Sequence, residues 1–274
     1  MSNFIQVKFK RKNREFIKNI FFYIIKGMSK NLENSNKMSQ WFMDCTYYDI
    51  PRNNNQFKLF IIIGYNHEEK KTHLGALILI KNENIETFTA IFNYLDKNYR
   101  FKPNFTNIDC STAEIRAIRK IFPHTKIILC YYHIIKRIIK HLPQIRSKND
   151  NIKNKAKDLF ANIKILLFFN QSKLKYFFEL TKDKFEKDFP AFIKYFYINF
   201  FKKYPLNDLC WNYDLNFIFE SNSIDDFFLT NNICESTNRL LNMNYYGVCK
   251  SIKNFKEAIK SLIKLYEDKN LYVK

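Results

Sequence analysis

The sequence predicts an α/β fold: a mixed sheet of three antiparallel strands, then alternating helix and strand, with an all-α insertion before the last functional segment. Three observations predict it. Apolar runs at 57–65 and 73–80 flank a short polar stretch at 66–71. Strand-like and helix-spaced segments then alternate from Ile85 to about His133. Beyond residue 150 the pattern turns helical, carried by Leu, Ile and Phe at spacings of three and four.

Residues 1–38 read as a basic helical lead-in, since Phe16, Ile20, Phe21 and Ile24 share helical spacing within 14–26. The first core strand is expected at 41–48. The polar turn at 66–71 makes 57–65 and 73–80 an antiparallel hairpin. Phe88, Ile91, Phe92 and Leu95 give 85–99 a helical period, and 105–109 is a short strand. Ser111 or Thr112 caps the next helix, with Glu114 in its first turn, where an acid complements the helix dipole. That helix runs through Ile115, Ile118 and Ile121 to Pro123. A strand at 126–132 follows, and the chain re-enters a helix at about His133.

This order, β-β-β-α-β-α-β-α, matches an RNase H-like fold, in which the first and fourth strands lie side by side and parallel. Neighbouring strands are ~4.8 Å apart, so carboxylates on both can share an ion. The domain plan is a lead-in at 1–38, a first part of the core at 39–142, a helical insertion at 143–229 and closing helices at 230–274. Within the insertion, Leu159, Ile163, Leu166 and Leu167 form one stripe, Leu174, Phe177, Phe178 and Phe185 a second, and 191–204 a third helix. The Phe stripes read as core rather than as a ligand box. Closing helices are expected at 231–242 and 251–267, and no internal repeat is visible.

The formal charge of +20, from 46 Lys and Arg against 26 Asp and Glu, fits a polyanionic partner such as nucleic acid. AT-rich codon usage explains the same excess, because Lys, Asn, Ile, Phe and Tyr all crowd the chain, so charge alone leaves both readings open. The six cysteines form no Cys-x-x-Cys pair, which makes reduced thiols the expectation. The apolar run at 20–25 is far too short to span a bilayer, and the first residues are too polar for a secretory signal. The chain therefore reads as soluble and intracellular, with no membrane partner.

Three acids stand out. Asp44 lies inside an otherwise apolar strand, where an unpaired carboxylate is costly. A metal ligand explains it, as does an edge strand with Asp44 facing water. The nearby Asp49, close to Pro51, reads as a turn residue. Asp109 ends a short strand just before a helix cap, the position where open α/β sheets gather ligands, and also an ordinary place for a turn Asp. Glu235 follows Asn232 at capping-box spacing and precedes Arg239 by one turn, so a helix cap or an ion pair explains it as well as a ligand does. Cys130 and His133 form one Cys-x-x-His unit, half a zinc site, with no second pair at zinc-finger spacing, so zinc is not expected. His133, Lys136, Arg137 and Lys140 share one helical face, which could grip phosphates or simply face water.

Together these segments resemble the transposase domain of Mutator-like elements (MULE), over 38–142 with a second patch at 230–242. Met43-Asp44-Cys45-Thr46-Tyr47 resembles the first-strand Asp motif, although Cys45 stands where the family usually has Gly. Asn107-Ile108-Asp109 through Phe122-Pro123 resembles the second-Asp motif and its amphipathic helix. Cys130-Tyr131-Tyr132-His133 is similar to the family's Cys/Asp-x-x-His signature. Thr230-Asn231-Asn232-Ile233-Cys234-Glu235-Ser236 resembles the segment supplying its last acid. The N-terminal recognition module common in full-length relatives has no counterpart before Asp44.

The resemblance implies a DDE-type DNA transposase with Asp44, Asp109 and Glu235 as catalytic, metal-binding acids. It implies two Mg²⁺ (or Mn²⁺) ions, Asp44 bridging them and Asp109 and Glu235 each holding one. The expected chemistry is DNA strand cleavage by water, then attack of a DNA 3′-hydroxyl on target DNA. Cys130, His133, Lys136, Arg137 and Lys140 would contact DNA at transposon ends and target. A homo-oligomer and a nuclear location are further implications. The competing class is a transposase-derived DNA-binding protein without turnover.

Overall fold

The computed structural model describes residues 3–7, 20–24, 26–48, 57–203, 211–213, 230, 232–237 and 260. Two N-terminal strands, β1 (Asn3–Val7) and β2 (Ile20–Ile24), precede helix α1 (Lys26–Glu33). There follow β3 (Gln40–Tyr48), β4 (Phe57–Asn66), β5 (Lys71–Ile80), α2 (Ile85–Tyr99), β6 (Phe105–Ile108), α3 (Thr112–Ile121), β7 (Lys126–Leu129) and α4 (Tyr131–His141). The sheet order is β1-β2-β5-β4-β3-β6-β7. Chain contacts divide the protein into one unit of 1–127 with 230–274 and another of 128–229.

In the first unit, β3, β4 and β5 form the expected antiparallel meander, and β6 lies beside β3 and parallel to it. Directly paired residues share a face, so Trp41, Met43 and Cys45 lie with Gly64, Ile62 and Phe60. The ring of Phe60 meets Phe88 and Phe92 of α2 edge-on at 5.2 and 6.2 Å, which assigns this face to the helices. Phe122, at the end of α3, reaches the same cluster, 5.7 Å from both Phe92 and Phe101. Asp44, one residue along from Met43, belongs to the opposite face.

Trp41 anchors the centre of the sheet and is wholly buried. Its indole N–H donates to Ser35 O at 3.2 Å, and its ring meets Phe101 edge-on at 4.8 Å. The ring needs two glycines beneath it. A Cβ on Gly64 would lie 2.8 Å from Met38 Cγ, and one on Gly75 would lie 2.7 Å from Trp41 Cζ3. Gly75 is also the unpaired residue where the β4–β5 register shifts, since Ile62 pairs with Ala76 and Ile63 with Leu74.

Helix starts follow local chemistry. Asn84 caps α2, its side-chain oxygen accepting from Thr87 N at 2.9 Å and Thr87 Oγ1 at 2.8 Å. Arg100 closes the same helix in the left-handed region at φ 53. Ser111 caps α3 by accepting from Glu114 N at 3.4 Å.

The second unit is helical after β7: α4, then α5 (Asp150–Leu166), α6 (Gln171–Phe185) and α7 (Pro190–Phe196), which runs into a π-helical stretch at Tyr197–Lys202. Leu159, Ile163, Leu174, Phe178, Phe185 and Phe196 are buried, so the Leu and Phe stripes are core. Trp211 is wholly buried against Phe196, Phe200 and Phe201. Asn212 donates to the carbonyls of Leu166, Leu167 and Phe169, holding the end of α5.

Two expectations are corrected. The helical lead-in is not formed at Ile20–Ile24, which is a strand pairing with both β1 and β5; the helix begins only at Lys26. The run at 20–24 is apolar or aromatic at every position, so it lacks the alternation that marks a strand and mimics a helix face. The strand expected at 126–132 ends at Leu129, and Tyr131 already belongs to α4. The expected helix at 14–19, Asp49, and the closing helices beyond Thr237 fall outside the described residues, apart from Lys260, which is helical.

A candidate acidic centre at the strand ends

The β3–β6 pairing aligns Trp41 with Thr106, Phe42 with Asn107 and Met43 with Ile108. The next position on each strand is an acid, Asp44 on one and Asp109 on the other. Parallel neighbours are about 4.8 Å apart, so this register brings the two acids to about the same level on adjacent strands. Asp44 is buried at 9% exposure, enclosed on its other flank by β4, where Ile61 is its partner. Asp109 is half-buried at the carboxyl end of β6. The chain turns there, because Ser111 N–H donates to Asp109 O at 2.7 Å and Ser111 then starts α3.

A third carboxyl joins them that sequence reading assigned only to helix chemistry. Glu114 is 3% exposed, and its Oε1 is buried with no hydrogen-bond partner. Burial, then the charges of Asp109, Asp44 and Glu83, hold its carboxyl well above the usual carboxylate range. Glu83 is itself paired with Lys58 at 2.7 Å. One signal in the sequence points to this burial. Glu114 lies three, four and seven residues before Ala117, Ile118 and Ile121, on the apolar stripe of α3 rather than its basic face.

Glu235 is half-buried in a helical turn at 232–237. Its neighbour Cys234 is fully buried, and that thiol is raised by burial first, then by the charges of Asp44, Asp109, Glu114 and Glu235. The turn carrying Glu235 thus lies within the field of Asp44 and Asp109. Thr237 Oγ1 donates back to Ile233 O at 3.0 Å, closing the turn. Arg239, the ion-pair partner considered for Glu235, is outside the described residues. Cys45 shares the acidic surroundings: burial raises its thiol most, then Glu114, Glu83 and Asp44.

In the second unit, Cys130 is wholly buried at the start of α4, and its sulfur lies within 4.8 Å of a ring nitrogen of half-buried His133. Ile134 and Ile138 face the core. Lys136 and Lys140 are exposed and Arg137 is half-buried, so the predicted basic face reaches solvent. Tyr132, 51% exposed, adds an aromatic surface, with Lys136 Nζ 6.0 Å from its ring centre. Sequence reading had not singled out Tyr132.

Residues 40–137 match the family model of the MULE transposase domain. The matched segment runs from β3 into α4 and includes Asp44, Asp109, Cys130, His133, Lys136 and Arg137; Lys140 and Glu235 lie beyond it. No curated protein matches the chain.

Proposed function

Proceeding from the MULE transposase domain at 40–137, we propose that the chain is the catalytic core of a DDE-type DNA transposase of RNase H-like fold. Asp44, Asp109 and Glu235 are its acidic set. Residues 39–142 and 230–274 make the core, with 143–229 as the helical insertion. The observation that supports this reading is the parallel β3–β6 register, in which Met43 pairs with Ile108 and the next residues along are Asp44 and Asp109.

The donor set suits a hard divalent cation. All the donors proposed are carboxylate oxygens, which match Mg²⁺ or Mn²⁺. A buried carboxyl with an unpartnered oxygen beside two further acids is costly unless positive charge or a proton offsets it. When bound, two such ions supply activation of a water nucleophile and stabilisation of the leaving oxygen in phosphodiester cleavage. Asp44, Asp109 and Glu235 are the residues that would hold these ions, with Asp44 the one that would be shared between them.

The chain's own residues do the rest. The enclosed strand position of Asp44 limits water around its carboxylate and keeps it in one orientation. Lys136, Arg137 and Lys140, with His133, neutralise DNA phosphates and fix the register of the duplex without reading sequence. A DNA partner, assembly as a multimer and a nuclear location belong to the same reading. No described helix is long and apolar enough to cross a membrane.

The test is incubation with nicked, branched and terminal-repeat DNA, with and without Mg²⁺ or Mn²⁺. Cleavage that requires the cation supports the enzyme. Tight DNA binding without cleavage on any substrate would replace it with the transposase-derived binding protein.

A further inference from the structure

We infer that Glu114 is a further oxygen ligand of the divalent-cation centre, acting with Asp44 and Asp109; this rests on the acidic centre proposed above. A glutamate at the third position of a helix usually has one of two roles. It stands in water, complementing the helix dipole, or it reaches back to the backbone N–H of the cap residue. Glu114 does neither. It is 3% exposed, and the Ser111 N–H that a capping box would use donates instead to Asp109 O at 2.7 Å. The helix start keeps only half of the box, the Ser111 hydroxyl accepting from Glu114 N at 3.4 Å. The side chain is released from capping, and its Oε1 is buried without a partner.

The surroundings specify the ligand. The charges of Asp109, Asp44 and Glu83 act on the Glu114 carboxyl, all of its own sign, and Glu83 is paired with Lys58 at 2.7 Å. A buried helix carboxyl with an open oxygen, together with buried Asp44 on β3 and half-buried Asp109 at the end of β6, matches the oxygen-rich coordination that Mg²⁺ and Mn²⁺ require. A purely structural role would be served better by an apolar residue, because Glu114 occupies the apolar stripe of α3 in line with Ile118 and Ile121.

The experiment measures binding of Mn²⁺ alone to the full chain, by titration of the free-ion paramagnetic signal, with thermal melting of each variant in chelator and in Mn²⁺. Glu114→Gln preserves size and removes charge. Its Mn²⁺ dissociation constant is expected to rise at least tenfold, while its melting temperature in chelator stays level or rises because an acid that is costly to ionise in this buried position is gone. Glu114→Asp is expected to lie between wild type and Glu114→Gln. If Glu114→Gln does not fold, Glu114→Asp decides, and wild-type affinity in it overturns the inference. Glu114→Gln with Mn²⁺ affinity within twofold of wild type also overturns it. The centre stands in that case if Asp44→Asn and Asp109→Asn still abolish binding. Wild-type protein that binds no Mn²⁺ overturns the centre itself, and the role of Glu114 with it.

Discussion

Gly75→Ala tests the packing that holds β3, and with it Asp44, in place. The added methyl would lie 2.7 Å from Trp41 Cζ3, 3.1 Å from Ile62 O and 3.3 Å from Leu32 Cδ2. The backbone oxygen cannot move without disturbing the β4–β5 ladder, so the Trp41 ring must give way. That ring is wholly buried, held by Ser35 O at 3.2 Å and by Phe101 at 4.8 Å. Overpacking of a filled core costs about 1–3 kcal/mol. A strained indole hydrogen bond adds about 1 kcal/mol, giving about 2–4 kcal/mol in all. Melting should fall by roughly 5–15 °C, measured by circular dichroism. Gly27→Ala is the internal control. Nothing lies within 4 Å of its would-be Cβ, and Gly27 sits inside α1, so it should stabilise by about 0.4–1 kcal/mol. Gly75→Ala with a melting temperature equal to wild type would refute the close packing of Trp41 against Gly75.

Other outcomes follow from single features. Asn84→Ala removes a cap that accepts from both Thr87 N and Thr87 Oγ1, and should cost about 1 kcal/mol in chemical denaturation. His141 stacks on Tyr195 at 3.7 Å, and partial burial, then Lys140 and Arg137, lower its pKa below the ordinary 6.5. A folded value below the unfolded one means its contribution to stability is present above pH 6.5 and is lost as pH falls through the folded value. His141→Gln should therefore flatten the acid side of the stability profile, and an imidazole titration by NMR should show the lowered value. Lys136→Ala and Lys140→Ala should weaken DNA binding by a similar factor on every sequence, each reducing the salt slope by about 1 in fluorescence anisotropy.

Much of the first unit is legible in the sequence because its pattern is local. The apolar runs of β4 and β5, the period of α2 and the Ser111 cap each follow from neighbouring residues, and the structure forms them there. The misses arise where the decisive partner is distant. Ile20–Ile24 is a strand because β5 offers an edge to pair with, and nothing in its continuous apolar and aromatic run separates a strand from a helix face. The run after Lys126 is rich in Ile and Tyr throughout, so its change from strand to helix at Cys130 leaves no break in composition. The parallel neighbourhood of β3 and β6, which carry Asp44 and precede Asp109, could be anticipated from the order of elements. The burial of Glu114 could not, since an acid in a first helical turn has a sufficient local explanation, and only tertiary packing removes it from water.

The central claim is that Asp44 and Asp109 form one cation-dependent catalytic centre. The most direct measurement is the rate of strand cleavage by wild type, Asp44→Asn and Asp109→Asn in Mg²⁺ or Mn²⁺, with DNA affinity measured in parallel on the same substrate. The account predicts cation-dependent cleavage by wild type and background rates for both variants, with DNA affinity retained. Undiminished cleavage by either variant, or no cleavage by wild type on any DNA it binds, would contradict it.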